Sequence, residues 1–188
     1  MNFKELEKEL ERFSEYVIQQ ARSRLKRLGK NDGQLYKSLS ADIDIEKGMI
    51  LVDFLMEDYG EFVDQGVKGK NPSKVSPNSK IRGQQAPNSP FKFGSGSKRG
   101  TFKKFVKKMG VFAQAKNVRF RQGKTGKFAK GGYKSMGYVI ARNIYNRGLK
   151  PSLFFTKPFN KGLQRFTDKF LDAFALDIEN GIILGTKK

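Results

Sequence analysis

Seven carboxylates are the first residues whose spacing could do chemistry. Glu57, Asp58, Glu61 and Asp64 fall within eight residues, and four oxygen donors at that density could hold a divalent cation. Convergence of Asp42, Asp44 and Asp53 with Glu57 and Asp58 would make a Mg²⁺-dependent nuclease site. The spacing does not follow an EF-hand loop, however, and no general acid–base partner accompanies it. The chain has no His and no Cys, which excludes a thiolate nucleophile and a Ser/His/Asp triad and removes the commonest zinc ligands. These carboxylates read as an acidic face balancing nearby lysines. No catalytic residue, metal site or cofactor is expected, and the chain is not expected to be an enzyme.

The second set of residues with a chemical consequence is basic. Between Gln65 and Thr167 there is no Asp or Glu but there are 25 Lys and Arg, whereas the 64 residues before carry 10 basic and 14 acidic side chains. The net charge of +20 is therefore regional. Such segregation creates a field suited to a polyanion or an acidic protein face. The candidate contacts are Lys68, Lys70, Lys74, Lys80, Arg82, Lys92, Lys98, Arg99, Lys103, Lys104, Lys107, Lys108, Arg119 and Arg121. Phe91, Phe93, Phe102, Phe120 and Tyr133 interleave with them and could stack on bases. No phosphate-binding glycine loop is present, since Gly83 and Gly94-Ser95-Gly96 lack the required lysine spacing and preceding strand.

The elements that must carry these residues follow from periodicity. Phe3, Leu6, Leu10, Phe13, Val17, Ala21, Leu25 and Leu28 recur at helical spacing, and Gly29 after Lys26-Arg27 suits a C-terminal cap. A helix over 2–28 would be about 40 Å long and either crosses its domain or lies against a neighbouring subunit. Leu35–Ile45 and Met49–Met56 alternate as two strands joined at Glu46-Lys47-Gly48. The second strand is apolar on both faces near its middle, so helix 1 covers one side and something else, such as a partner, the other. Glu57–Gln65 is a short helical segment with Tyr59, Phe62 and Val63 on one side.

Residues 67–100 are rich in Gly, Pro, Ser and Lys without packing periodicity. A loop of that length is an arm, a binding loop or a linker, and Phe91 and Phe93 would anchor it. Thr101–Ala115 reads as a basic amphipathic helix, with Phe102, Phe105, Val106, Met109 and Phe112 opposite its lysines. Protein packing accounts for that stripe without lipid. Asn117–Arg121 is expected to be a short strand and 122–132 a connector. A helix from Tyr133 or Ser135 ends at Gly148, with Met136, Val139, Ile140 and Ile144 on one side. Leu153-Phe154-Phe155 is an apolar segment. Thr156 is expected to cap a last helix whose stripe is Leu163, Phe166, Phe170, Phe174 and Ile178, broken by Asn180-Gly181 before a strand at Ile182–Leu184. The first seven residues hold no apolar signal core and no run approaches 18 apolar residues, so neither a secretory signal nor a membrane span is expected.

Two segments carry a family resemblance. Tyr59-Gly60-Glu61-Phe62-Val63-Asp64-Gln65-Gly66 resembles the Tyr-x-x-Phe/Val-x-x-Gly signature of the tail-component or neck proteins of tailed bacteriophages, lambdoid-phage type. Ile140-Ala141-Arg142 through Arg147-Gly148-Leu149-Lys150-Pro151-Ser152-Leu153-Phe154-Phe155 resembles the later helix and Arg-Gly-…-Pro-Phe region of the same family. The similarity spans 1–66 and 133–184, and the basic insertion between departs from it. It implies a structural virion protein, a subunit of a homo-oligomeric ring in the head-to-tail connector, with dodecameric as an order the resemblance allows. Its partners would be the portal or adjacent connector rings and tail proteins, with non-specific contact to packaged DNA and no membrane. The protein would reside in the virion neck and, during assembly, in the host cytoplasm. Tyr59, Phe62, Phe91, Phe93, Phe102, Phe105, Phe154 and Phe155 are the candidate oligomer or partner contacts. The other function considered is a basic nucleic-acid-binding protein.

The expected fold is α+β, a long N-terminal helix and C-terminal helices packed on a small antiparallel sheet, with a long basic inserted arm. Residues 1–66 and 133–188 would form one core domain. Residues 67–132 would be the insertion, comprising loop 67–100, helix 101–115 and connector 116–132.

Overall fold

In chain order the elements of the computed structural model are α1 (Lys4–Arg27), α2 (Gln34–Ser38), β1 (Ser40–Glu46), β2 (Met49–Leu55), α3 (Gly60–Gln65), β3 (Val67–Lys68), a 3₁₀ turn (Pro72–Lys74), α4 (Phe102–Ala115), α5 (Gly132–Arg147), β4 (Gly148–Leu149) and α6 (Thr156–Thr186). The structure describes residues 3–30, 33–46, 49–77, 79–96, 101–122, 126–127 and 131–186. It divides into two units, Met1–Asp64 with Leu153–Lys188 and Gln65–Ser152. The fold is α+β, with a long N-terminal helix and C-terminal helices packed on two small antiparallel sheets.

The first unit is built on α1 and α6. Phe13, Val17, Ala21 and Leu25 of α1 are buried at the expected helical spacing, whereas Leu28, also expected in the stripe, is the exposed C-cap. The helix ends as its sequence implies. Gly29 adopts φ 68°, its N–H donates to the Lys26 carbonyl and the Lys30 N–H to the Leu25 carbonyl, a Schellman arrangement that needs the left-handed residue glycine supplies. The Phe13 ring sits among Phe54, Phe159, Phe166 and Phe170 with centroids 5.6–6.0 Å away, all edge-on. That geometry favours the ring quadrupoles and concentrates aromatic burial in one place. A Cβ on Gly162 would lie 2.8 Å from the Phe13 ring, so the glycine is what brings α6 this close to α1.

Four sequence expectations are corrected in this unit. Residues 35–38 are helical, not extended, because Leu35 and Leu39, four apart, are both buried against Ala21, Leu25 and Phe154. The buried stripe of α6 runs through Gly162, Phe166, Ala173 and Asp177, while Leu163 and Phe174 are exposed. Asn180-Gly181 does not break α6, which continues through Ile182–Leu184 to Thr186. A single helical glycine costs only about 1 kcal/mol, and the preceding turn is anchored where Asp177 accepts from the Glu5 and Leu6 N–H groups at 3.1 and 2.9 Å. Thr156 is likewise not the cap of α6 but its first residue. The capping group is the Asp64 carboxylate, which accepts from the Phe155 N–H at 2.7 Å, from the Thr156 N–H at 3.3 Å and from the Thr156 hydroxyl.

β1 and β2 form the expected antiparallel hairpin, in the register Ala41 to Phe54, Ile43 to Val52 and Asp42 to Asp53. Lys47-Gly48, where the turn was expected, lies outside the described residues. Val52 and Phe54 alternate inward as half-buried residues, and Met49, Leu51, Asp53 and Leu55 point out as exposed ones. The period-2 pattern determines that split.

The second unit holds α4, α5 and the β3–β4 pair, with Val67 opposite Leu149 and Lys68 opposite Gly148. α4 packs on α5, so α5 belongs with the basic segment and not, as the sequence reading had it, with the core. Residues 67–96 do not form a separate arm. Their backbone is tied down within the unit: the Lys68 N–H donates to Phe91, the Lys70 N–H to Tyr145 and the Gln85 N–H to Arg147. Gln84 brackets Gly69 from both sides, accepting from its N–H at 2.6 Å and donating to its carbonyl. Ser89 donates to Gly66 and accepts from the Phe91 N–H. These side chains satisfy a backbone that has no ladder to join, which is why a stretch without hydrophobic periodicity is still ordered. Asn117–Arg121, expected as a strand, turns at Lys116-Asn117 and continues without forming one.

Candidate functional site

The carboxylates considered for metal binding do not converge on one site among the described residues. Asp64 is buried and spent on the first turn of α6, Asp58 and Glu61 are exposed, and no group of three or more potential ligands gathers among the described residues. Two surfaces, one on each unit, gather the other side chains of chemical interest.

On the first unit the surface is the outer face of the hairpin. Asp42 and Asp53 are directly opposed across the two strands and both are exposed. Like charges in that position destabilise a sheet. Asp44 pairs with Leu51 and Ser40 with Leu55, so exposed apolar side chains flank the acidic centre, with Leu51 and Leu55 each 47% exposed and Met49 62%. The sheet has two strands, and each keeps an unpaired edge among the described residues, a feature that favours pairing or covering.

On the second unit the surface is cationic. Residues 65–152 hold 22 Lys and Arg and no Asp or Glu, while the rest of the chain holds 16 basic and 18 acidic residues. The charge boundary and the structural boundary coincide to within a few residues on the N-terminal side. On α4, Lys103, Lys104, Lys107 and Lys108 are all exposed and occupy about 140° of arc at ~100° per residue. The opposite arc holds half-buried Phe105, Val106 and Met109 and fully buried Ala113. Phe102 and Phe112, both expected in the packed stripe, are exposed, and at ~100° per residue Phe112 falls at the border of the lysine arc. The α4 N-terminus is capped as expected, with the Thr101 hydroxyl accepting from the Lys104 N–H.

Of the other predicted cationic contacts, Lys70, Lys74, Lys80, Arg82, Lys92 and Arg121 are exposed and Lys68 and Arg119 half-buried. Lys98 and Arg99 lie outside the described residues. Arg119 sits 5.0 Å over the Tyr133 ring, and Lys70 lies 5.7 Å from the Tyr145 ring centroid. Sequence reasoning missed exposed Lys116, Lys134 and Arg142, which the absence of acidic residues around them could have flagged. Burial lowers the pKa of Arg147, whose guanidinium is partly withdrawn from water.

The aromatic candidates are mostly internal. Phe154, expected to meet a partner, is completely buried with Leu25, Leu35 and Leu39. Phe155 packs on Phe54 and Phe159 at 5.3 and 5.7 Å. Both belong to the core of their own unit, since the turn they occupy is pulled inward by Asp64. Phe93, Phe102 and Phe105 also find partners at home: Phe93 stacks on Phe105 and meets Tyr145, while Phe102 meets Tyr145 and Tyr138 edge-on. Phe62 and Phe91 are half-buried, and Tyr59 is exposed with its hydroxyl accepting from the Leu35 N–H.

Comparison with family models, with curated proteins and with solved structures found no match to this chain. Among the described residues no helix is long and apolar enough to cross a membrane.

Proposed function

We propose that this chain is a non-catalytic assembly protein that docks on a neighbouring subunit through the outer face of its hairpin. More particularly, we read it as a subunit of a ring, twelvefold in the form the resemblance implies, in the neck between the portal side of a tailed-phage head and its tail. The observation that carries the docking reading is the opposed pair Asp42 and Asp53 flanked by exposed Met49, Leu51 and Leu55. Alone this face bears both an electrostatic and a hydrophobic cost. A cationic, partly apolar partner face relieves both, and a ring supplies one in every next subunit through a heterologous interface.

The neck assignment rests on the resemblance of residues 59–66 and 140–155. Its support from the fold is that these two segments are each other's structural partners. Asp64 of the first caps the helix that follows Phe155 of the second, accepting from the Phe155 N–H. Gly66, at φ 71°, would put a Cβ 2.5 Å from the Leu149 carbonyl oxygen and 2.7 Å from the Pro151 nitrogen. On this reading the chain assembles in the host cytoplasm and resides in the virion, against portal-side and tail-side rings.

Mass photometry and negative-stain microscopy of the purified chain test the proposal. Closed rings are expected, dispersed by Leu51→Lys with Leu55→Lys. A chain that stays monomeric at every concentration reached, with the variant indistinguishable from it, overturns the reading.

A further inference from the structure

We infer that the second unit binds the phosphate backbone of duplex nucleic acid without reading its sequence, through the lysine face of α4. The inference goes beyond the assembly reading and does not depend on it. Its basis is the coincidence of a structural unit with an all-cationic composition: residues 65–152 carry 22 positive and no negative side chains. The self-repulsion this entails is relieved only by an external polyanion or by acidic residues outside the unit. The described ion pairs, Lys8–Glu5 and Arg12–Glu9, both lie within α1, and none reaches Lys103, Lys104, Lys107 or Lys108.

Two observations select nucleic acid over an acidic protein, and duplex over single strand. The unit's cations are 16 Lys and 6 Arg. Lysine is a hydrated point charge that suits phosphate without fixed geometry, whereas docked protein interfaces are enriched in Arg and depleted in Lys. Stacking on unpaired bases needs free aromatic faces. Most of the rings near these lysines are instead engaged, Phe93, Phe102 and Phe105 with one another and with Tyr138 and Tyr145 and Tyr133 under Arg119, which leaves the scattered exposed rings of Phe112 and Phe120 rather than a row on which successive bases could stack. Backbone contact remains as the mode these residues can supply.

The test is fluorescence anisotropy of the full chain with a mixed-sequence DNA duplex across a salt series. Binding with a steep salt slope is expected, and changing Lys103, Lys104, Lys107 and Lys108 together to Gln is expected to lower that slope by about three to four, at ~0.9 per phosphate contact. The same four positions changed to Arg should restore it. No duplex binding at low salt, or a slope unchanged in the Gln variant with its circular dichroism intact, overturns the inference. Tighter binding of a single strand overturns the backbone mode, and equal binding of poly-L-glutamate overturns the nucleic-acid assignment. Ring formation measured on the same samples separates the two readings: rings without DNA binding sink only this one, and DNA binding without rings only the assembly proposal.

Discussion

Gly137 of α5 lies so close to Gly110 of α4 that a Cβ on Gly137 would fall 2.4 Å from the Gly110 nitrogen and 2.6 Å from its Cα. The relation is one-sided, since a Cβ on Gly110 meets nothing nearer than the Tyr133 carbonyl oxygen at 3.7 Å. With buried Ala113 and Ala141, the glycines let the two backbones touch, and this contact orients the lysine face of α4.

The asymmetry predicts opposite outcomes for two similar changes. Gly137→Ala forces backbone apart and should destabilise the second unit by about 1–3 kcal/mol. Gly110→Ala adds an unhindered methyl to a helix interior and should be neutral or stabilising by up to ~1 kcal/mol. Urea melts of both variants check this, and equal effects would refute the close crossing.

Asp64→Ala should cost the first unit about 1–3 kcal/mol, because the first N–H groups of α6 lose their buried acceptor. Glu61→Ala, three residues away and exposed, should stay within about 0.5 kcal/mol. Denaturation midpoints followed by circular dichroism distinguish a cap from a general acidic face, which would make the two alike.

Phe154→Ala should lower stability by about 3–5 kcal/mol through the cavity it leaves. If Phe154 were instead a partner contact, the variant would melt like the parent and only fail to assemble, so a thermal melt of the unassembled chain decides the matter.

Leu51→Lys with Leu55→Lys changes residues that are half exposed, and the monomer should keep its melting behaviour to within about 1 kcal/mol. Assembly should be lost, as read by sedimentation velocity. Loss of the fold itself would show that this face is already covered within the chain.

Much of the fold was legible because it is encoded by near neighbours. The α1 stripe, its Gly29 cap, the Thr101 cap of α4 and the hairpin alternation each depend on residues a few positions apart, which period and cap chemistry expose directly. Leu35–Ser38 was misread because Leu35 and Leu39 fit both an alternating and a helical pattern, and only their shared burial against Leu25 decides between them. Of the candidate surfaces, the lysine arc of α4 was legible in full. The aromatic residues were not, because a Phe that anchors a partner and one that packs at home look alike in sequence.

By itself the sequence determined the helices, the hairpin and the confinement of positive charge to one stretch, since composition and periodicity are local properties. Tertiary structure alone decided that this stretch is a packed unit, with α5 its partner. It alone also turned Asp64 from a possible ligand into a cap. The reason is reach: Asp64 meets Phe155 across 91 residues and Asp177 meets Glu5 across 172, and no period in the chain records a hydrogen bond between residues that only folding brings together.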